Sequence, residues 1–337
     1  MRRGLSVLAG LVLLSGCGPA AVPASAPTAT PAPAKIHVTA SYSNIAPTVL
    51  PLWVALDSGI FEKHGLDVDM QYVASATSVP AVISGQMQVA EVGGSEVLGA
   101  IAGGADLVIV TMDTPAYPYE MEVAPGIQAP SDLRGKSIGI SRFGSSSDIA
   151  TRVVLKSIGL DADKDVQLIQ TGSLSDRVAA MQSGAIQAGL AGPPDTRTVE
   201  RLGWHPLFDL AALGLPAVTL GQVVQRQYRD AHPTEVQAYV DSLIDGIAQV
   251  RRDRPFAIET LRKYLKDNDD DDLNLAYDYY ARPEVMPSLP YVRPEQFSDT
   301  IAILGQKNEQ LSKLDVSRVL DTSFVKNAED RGLGRSP

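Results

Sequence analysis

Cysteine is nearly absent. Cys17 stands alone in 337 residues, so the chain has no partner for an internal disulfide and no thiolate cluster for a metal. Basic side chains are outnumbered, 29 Lys and Arg against 39 Asp and Glu, and the formal charge of -10 comes with no local basic patch. Phosphates would be repelled, which excludes nucleic acid as a partner. Histidine is equally sparse: His37, His64, His205 and His232 are too scattered in sequence to suggest a zinc site. No G-x-S-x-G elbow occurs, and no lysine or histidine lies in a motif that would mark a covalent cofactor. Neither metal nor cofactor is therefore expected. Two superficial matches fail for the same kind of reason. RGKS, Arg134 to Ser137, lacks the earlier glycine of a phosphate-binding loop, because Pro130 stands there, and it reads as a turn entering a strand. DNDDDDLNLAYD, Asp267 to Asp278, has Asp272 where a calcium loop needs glycine and ends on Asp278 where it needs glutamate; it reads as a solvated loop capping a helix.

Long apolar runs are missing except at the start. MRRGLSVLAGLVLLSGC has a basic beginning at Arg2 and Arg3, then Gly4 to Leu14, which is too short for an ordinary spanning helix and has the pattern of a secretion signal. Leu14-Ser15-Gly16-Cys17 resembles the bacterial lipobox, in which the cysteine thiol receives diacylglycerol, so residues 1–17 are expected to be a lipoprotein signal ending at a lipidated Cys17. Residues 18–34, GPAAVPASAPTATPAPA, carry almost no large apolar side chain and cannot build a core; their prolines favour an extended tether. The folded body begins near Lys35. With 45% hydrophobic and 20% charged residues, it is of ordinary globular composition and long enough for two cores.

From Lys35 the chain alternates strand and helix signals. KIHVTAS, LDVDMQYV, MQVAEV and DLVIVTM read as strands, with APTVLPLWVALDSGIFEKHG, SVPAVISGQ and SEVLGAIAGG as the helices between them. The order then recurs: GKSIGIS, VQLIQT and IQAGLA as strands, SSDIATRVVLKSIG, LSDRVAAMQSG and DTRTVERLG as helices. Strands separated by helices imply a mostly parallel sheet covered on both faces, here built twice. The repetition reaches individual residues. SGQMQVAEVGG, Ser84 to Gly94, returns ninety-nine positions later as SGAIQAGLAGP, matching Val79 with Val178, Gly85 with Gly184, Gln88 with Gln187 and Gly93 with Gly192. Two such units facing each other form a cleft, since open parallel sheets bind ligands beyond the carboxyl ends of their strands.

Four segments in order, LPLWVALDSGIFEKHGLDVDM, VPAVISGQMQVAEVGG, DLRGKSIGISRFGSSSDIATRVVLKSIGLD and RVAAMQSGAIQAGLAGPPD, carry a family resemblance. From Lys35 to about Asp253 the chain resembles the extracytoplasmic solute-binding proteins of ABC importers, in the nitrate/sulfonate/taurine and thiamine-pyrimidine (NMT1/THI5-like) group. The resemblance implies the two-lobe α/β fold of type II periplasmic binding proteins, with two crossover segments as hinges. It implies lobe one at 35–112 plus 214–337, lobe two at 113–213, and a helical tail from Pro233 packed on lobe one.

Within that frame the loops at the strand ends supply the candidate solute-binding residues. SRFGSSSD offers Arg142, Phe143, Ser145 and Ser146; its serines suit an anion at a helix start, and equally ordinary capping. In the other lobe SYSNIAP offers Ser41, Tyr42 and Asn44, and Tyr42 is the repeat counterpart of Phe143. The two rings either sandwich a planar solute or simply pack. The repeat motif ends at Gly94 and Ser95 in GGSE and at Asp195 in GPPD. Glu96 and Asp195 suit an amine or aminopyrimidine rather than a bare anion, so the charge of the solute stays open, and a zwitterion satisfies both sets of groups.

The expectation is a non-enzymatic, lipid-anchored, extracytoplasmic protein that traps a small polar organic solute of the sulfonate, nitrate, taurine or aminopyrimidine class. An ABC permease with its ATPase would receive the solute. Two alternatives remain: an enzyme of thiamine-pyrimidine biosynthesis on the same fold, and a lipoprotein that senses a solute and reports it.

Overall fold

The structure, a computed structural model, describes residues 35–335. The signal, the lipidation site at Cys17 and the tether lie outside the described residues. Among the described residues no helix is long and apolar enough to cross a membrane.

Ten strands form two five-stranded sheets. The first holds β1 (Ile36–Tyr42), β2 (Leu66–Tyr72), β3 (Val89–Val92), β4 (Leu107–Ile109) and β10 (Gly221–Gln225), in the order β2-β1-β3-β10-β4. The second holds β5 (Glu120–Val123), β6 (Ser137–Ile140), β7 (Gln167–Gln170), β8 (Ala188–Ala191) and β9 (His205–Asp209), in the order β7-β6-β8-β5-β9. The two orders are equivalent. In each sheet three parallel strands are followed by one antiparallel strand, β10 or β5, that the chain forms immediately after crossing from the other sheet.

The sequence repeat has a mechanical meaning in this arrangement. Gly85 and Gly184 follow their helices with φ of 76° and 72°, a left-handed conformation that glycine adopts without strain. The glutamines just beyond them then do the same work twice. Gln88 Oε1 accepts the Thr39 amide at 2.6 Å, and Gln187 Oε1 accepts the Ser137 amide at 3.1 Å. The backbone returns the bond: the Gln88 amide donates to Thr39 O and the Gln187 amide to Ser137 O, at 2.9 and 2.8 Å. Each glutamine thus fixes the register of β3 on β1 or of β8 on β6.

The expected helix through APTVLPLWVALDSGIFEKHG is three pieces: a 3-10 turn Pro47–Val49, a helix Leu50–Asp57 and a short helix Ile60–Lys63. Gly59, at φ 69°, turns the chain between the last two. The break lets two differently angled apolar faces enter one core. Leu50, Leu52, Trp53 and Val54 are fully buried from the first piece, and Ile60 and Phe61 are buried from the second. Trp53 stacks on Tyr264 with centroids 4.6 Å apart, and Phe61 meets Tyr239 of the Pro233–Arg252 helix. Each such side chain contributes about 1.5–3 kcal/mol on leaving water.

The tail packs on the first sheet's helices and also reaches the other half. Arg282 pairs with Asp209 of β9 at 2.8 Å, and Ile303 and Leu304 of the Ser298–Gly305 helix pack against the second sheet's core. The acid-rich loop caps a helix, with Asp269 accepting the Asp271 and Asp272 amides at the start of Asp270–Tyr280.

The chain crosses between sheets twice, and the two crossings pair with each other. Asp113 and Thr114 amides donate to Leu220 O at 2.9 and 3.0 Å, and the Thr219 amide donates to Thr114 O at 3.3 Å. This pairing lies beyond the Leu213 boundary read from sequence. A buried polar cluster sits behind it: Asp113 accepts from Thr111 Oγ1 and from Gln222 Nε2, beside Glu91 of β3, whose Oε2 has no protein partner. Burial pushes the Asp113 carboxyl up to about 7, and burial together with the neighbouring Asp113 charge raises Glu91 well above its ordinary value.

Two outcomes follow. Gln88→Ala and Gln187→Ala should each destabilise the fold by about 1–2 kcal/mol, read as a lower urea midpoint, because each leaves a strand amide unpaired. A raised carboxyl pKa means that the folded state holds a proton which the unfolded state has released, so the contribution of Asp113 to stability falls as pH rises from about 4 to about 7. Asp113→Asn removes that part of the slope; the difference in unfolding free energy between pH 5 and pH 8, read from urea curves, should shrink by an amount on the order of 1 kcal/mol or more.

Candidate functional site

The carboxyl ends of β3 and β6 lead into the two helices that matter most. Gly94–Ala102 follows β3, Ser146–Ser157 follows β6, and their first turns face each other, with Ser95 Oγ 3.5 Å from Ser146 Oγ. The approach depends on Gly93: a Cβ there would stand 2.7 Å from Ser146 Oγ and would collide with the Glu96 carboxylate. Around the two hydroxyls lies a seam lined by Tyr117, Ile149, Val218, Thr219 and Thr300. It is packed too tightly to admit a water. Tyr117 is 2% exposed and its hydroxyl has no partner; burial raises its pKa above the ordinary tyrosine value. Outward, the seam widens into a groove of about 570 Å³ between the Ser75–Ile83 helix and Leu304, Lys307 and Leu311.

The serine-rich loop divides its labour. Ser145 caps its helix, accepting from the Asp148 amide at 3.4 Å while its hydroxyl donates to Arg142 O at 2.7 Å. Ser147 Oγ accepts the Ser141 amide at 2.9 Å. Ser146 is left pointing at Ser95. Gly94 has committed its amide to Val218 O at 2.8 Å, and the Ser95 hydroxyl, which faces Ser146, donates to Glu96 Oε2 at 2.7 Å. Arg142 reaches across the seam to Glu96 Oε1 at 3.1 Å. Phe143 is 51% exposed, and its amide donates to Gln170 Oε1 at 3.0 Å.

Beyond β1, Ser41 is fully buried with an unpartnered hydroxyl, and Asn44 Oδ1 is buried without a partner. Tyr42 meets Trp53 edge-on at 5.7 Å and Tyr72 at 5.9 Å. Its ring belongs to an aromatic cluster of its own sheet, and no ring pair joins it to Phe143 among the described residues. Asp195 starts the Asp195–Glu200 helix; burial raises its carboxyl, and Asp267 adds to the shift while Arg177 opposes it.

Arg177 is the residue that sequence reading missed most clearly. It is 2% exposed, on the Leu174–Gln182 helix, and it drives a positive charge under the carboxyl end of the second sheet, donating to Leu190 O at 2.6 Å and to Ser141 Oγ at 2.7 Å. Its stem passes over two glycines facing each other across β6 and β8: a Cβ on Gly139 or on Gly189 would lie 3.1 Å from it. That glycine pair was the available signal. Thr300 and Tyr117 had none, since one comes from the distant tail and the other from a crossing segment.

A Brucella abortus protein named as a binding protein is 30% identical over 136 residues, which cover 40% of this chain and 41% of that relative. The chain thus spans about two fifths of the length of the curated relative it matches. The alkanesulfonate-binding protein SsuA of Xanthomonas axonopodis pv. citri, solved with MOPS, superposes with a TM-score of 0.70 at 21% identity, over 86% of this chain and 100% of that one. The periplasmic aliphatic sulphonate binding protein SsuA of Escherichia coli gives 0.70 at 20% identity, over 87% and 100%. At this identity the likeness establishes the fold, which is that of the periplasmic binding proteins. Residues 46–254 match the family described as NMT1/THI5 like. With paired sheets, doubled helix starts and that match in hand, the chain belongs to the NMT1/THI5-like family.

Proposed function

We propose that the protein is the extracytoplasmic solute-binding component of an ABC importer, which captures a small polar organic solute between its two sheets and presents the closed form to a permease with its ATPase. The observation that carries this reading is the convergence of two helix N-termini, at Ser95 and Ser146, over a pair of crossing segments. Helix starts bring oriented N–H groups and partial positive charge to one point, and hydroxyls add adaptable donors and acceptors. A solute seated there touches both halves at once, and only such a solute favours the closed state over the open one. Lobe one is read as 35–112 plus 214–337 and lobe two as 113–213, hinged at the crossings. Ser41, Asn44, Ser95, Ser146 and Asp195 are the residues assigned to contact the solute. A lipid on Cys17 would hold the protein at the outer face of a membrane.

A thermal-shift panel of alkylamines, aminopyrimidines, taurine, nitrate and aliphatic sulfonates tests the reading. A true solute at about a hundred times its dissociation constant stabilises by about 2.7 kcal/mol, which moves the melting midpoint by a few degrees. Ser146→Ala and Asp195→Ala should each weaken binding of the hit by about tenfold, the cost of one lost polar contact to a desolvated ligand, while the unliganded melting temperature stays within a degree or two. A flat response across the panel would remove solute capture as the function.

A further inference from the structure

We infer that Glu96 is a charge filter in this cleft: its own carboxylate occupies the seat that an anionic solute group would take at the start of the Gly94–Ala102 helix. The inference rests on the solute-binding reading above and narrows the solute class to one whose group facing this helix is neutral or cationic.

A helix start with serines and an arginine nearby is by default an anion seat. Here the serines beside this helix start, and an arginine reaching over from the second sheet's side, are turned on Glu96. Ser95 Oγ donates to Glu96 Oε2 at 2.7 Å, and Ser75 Oγ and Arg142 Nη2 both donate to Oε1 at 3.1 Å. The carboxylate lies folded against the backbone of Gly93, in the space that a Cβ would need, and its side chain is only 9% exposed. The Gly94 amide is held by Val218 O. An incoming sulfonate or carboxylate would therefore meet a negative charge in place of free donors, and like charges sharing one set of donors repel.

The seam, closed to water in this structure, shows which groups a solute would meet if the two helix starts parted, and the groove of about 570 Å³ beside it is lined by Ser75, Glu96 and Arg142. Tyr117 is buried with a hydroxyl that has no partner, and it lines the same crevice as Ser95 and Ser146. It is a neutral group, able to donate or accept. Arg142, by contrast, is 44% exposed at its side chain and can swing toward solvent, which would leave Glu96 to pair with a cationic nitrogen of the solute. Arg177 keeps its charge, with Nε unpartnered, but it lies on the second sheet's side, donating to Leu190 O and Ser141 Oγ, and supplies no donor to the start of the Gly94–Ala102 helix.

Ethanesulfonate is the probe, titrated by calorimetry and thermal shift into the wild-type protein and three variants at fixed ionic strength. Glu96→Gln keeps the shape while removing the charge, its one oxygen still accepting from one serine and its NH2 facing the other; it should bind ethanesulfonate at least about tenfold more tightly than wild type. Glu96→Ala empties the seat and guards against a poorly folded first variant, with the same gain expected. Glu96→Asp keeps the charge and should stay as blind to ethanesulfonate as wild type. Equal binding to wild type and Glu96→Gln, no binding to either, or a gain in Glu96→Asp matching that of Glu96→Gln would each overturn the filter. The outcomes separate from those of the functional reading. A wild type that answers the solute panel while Glu96→Gln gains nothing loses the filter and keeps solute capture; a wild type that ignores the panel while Glu96→Gln gains ethanesulfonate keeps the filter and loses capture.

Discussion

The short ribbon formed by the two crossings, Asp113 and Thr114 against Thr219 and Leu220, is the constraint on which the rest of the molecule depends. Three backbone hydrogen bonds keep the crossings side by side and tie the two sheets together at this point. Behind the ribbon the polar side chains of Thr111, Asp113 and Gln222 are bonded to one another inside apolar surroundings, where an unmade bond is costly. On the proposed reading of two hinged lobes, the few residues on either side of this ribbon would absorb the rotation. The site inherits its geometry from this join, because Val218, one residue before the ribbon, holds the Gly94 amide and so sets where the first helix begins.

The internal repeat explains why that helix has a counterpart to meet. Gln88 and Gln187 lock β3 to β1 and β8 to β6 by the same pair of bonds, and the chain then leaves each locked strand toward a helix start. Insertion of β10 next to β3 and of β5 next to β8 ties each sheet to the crossing that the other sheet sends across. The symmetry is of framework rather than of chemistry. Arg177 lies under the second sheet, and its counterpart by the ninety-nine-residue offset is Ser78, buried with an unpartnered hydroxyl. The first half therefore carries acidic Glu96 at its helix start, and the second carries a buried cation beneath its own.

What the sequence made legible follows from the length scale of each signal. The helix Ser146–Ser157 and the strand β2 span two or more periods of their patterns and were read within a few residues of where they lie. Strands β5, β9 and β10 stand close to the crossings in sequence, outside the strand–helix alternation that exposed the others; β5 alternates as EMEV but over four residues only, and β9 and β10 do not alternate. Gly59 broke a helix that apolar periodicity alone ran through. At the two helix starts, Ser95 was legible from the end of the repeated glycine motif and Ser146 from the serine-rich turn after a strand. Thr300, Tyr117 and Arg177 were not, because burial, which gives them their importance, depends on contacts between segments more than a hundred residues apart, or on a glycine pair whose purpose only the sheet reveals.

The two helix starts themselves meet through little. Between them stand one long contact between serine hydroxyls and one ion pair whose arginine is half exposed, while away from them the tail joins the halves through Leu304 and through the Arg282–Asp209 and Arg197–Asp272 pairs. An ion pair so exposed contributes between nothing and about 1 kcal/mol. Each half also has its own well-filled core. On the proposed solute-binding reading, a hundredfold difference in a ligand's affinity for two states of the cleft would shift their balance by about 2.7 kcal/mol, which is large beside the contacts between the two helix starts.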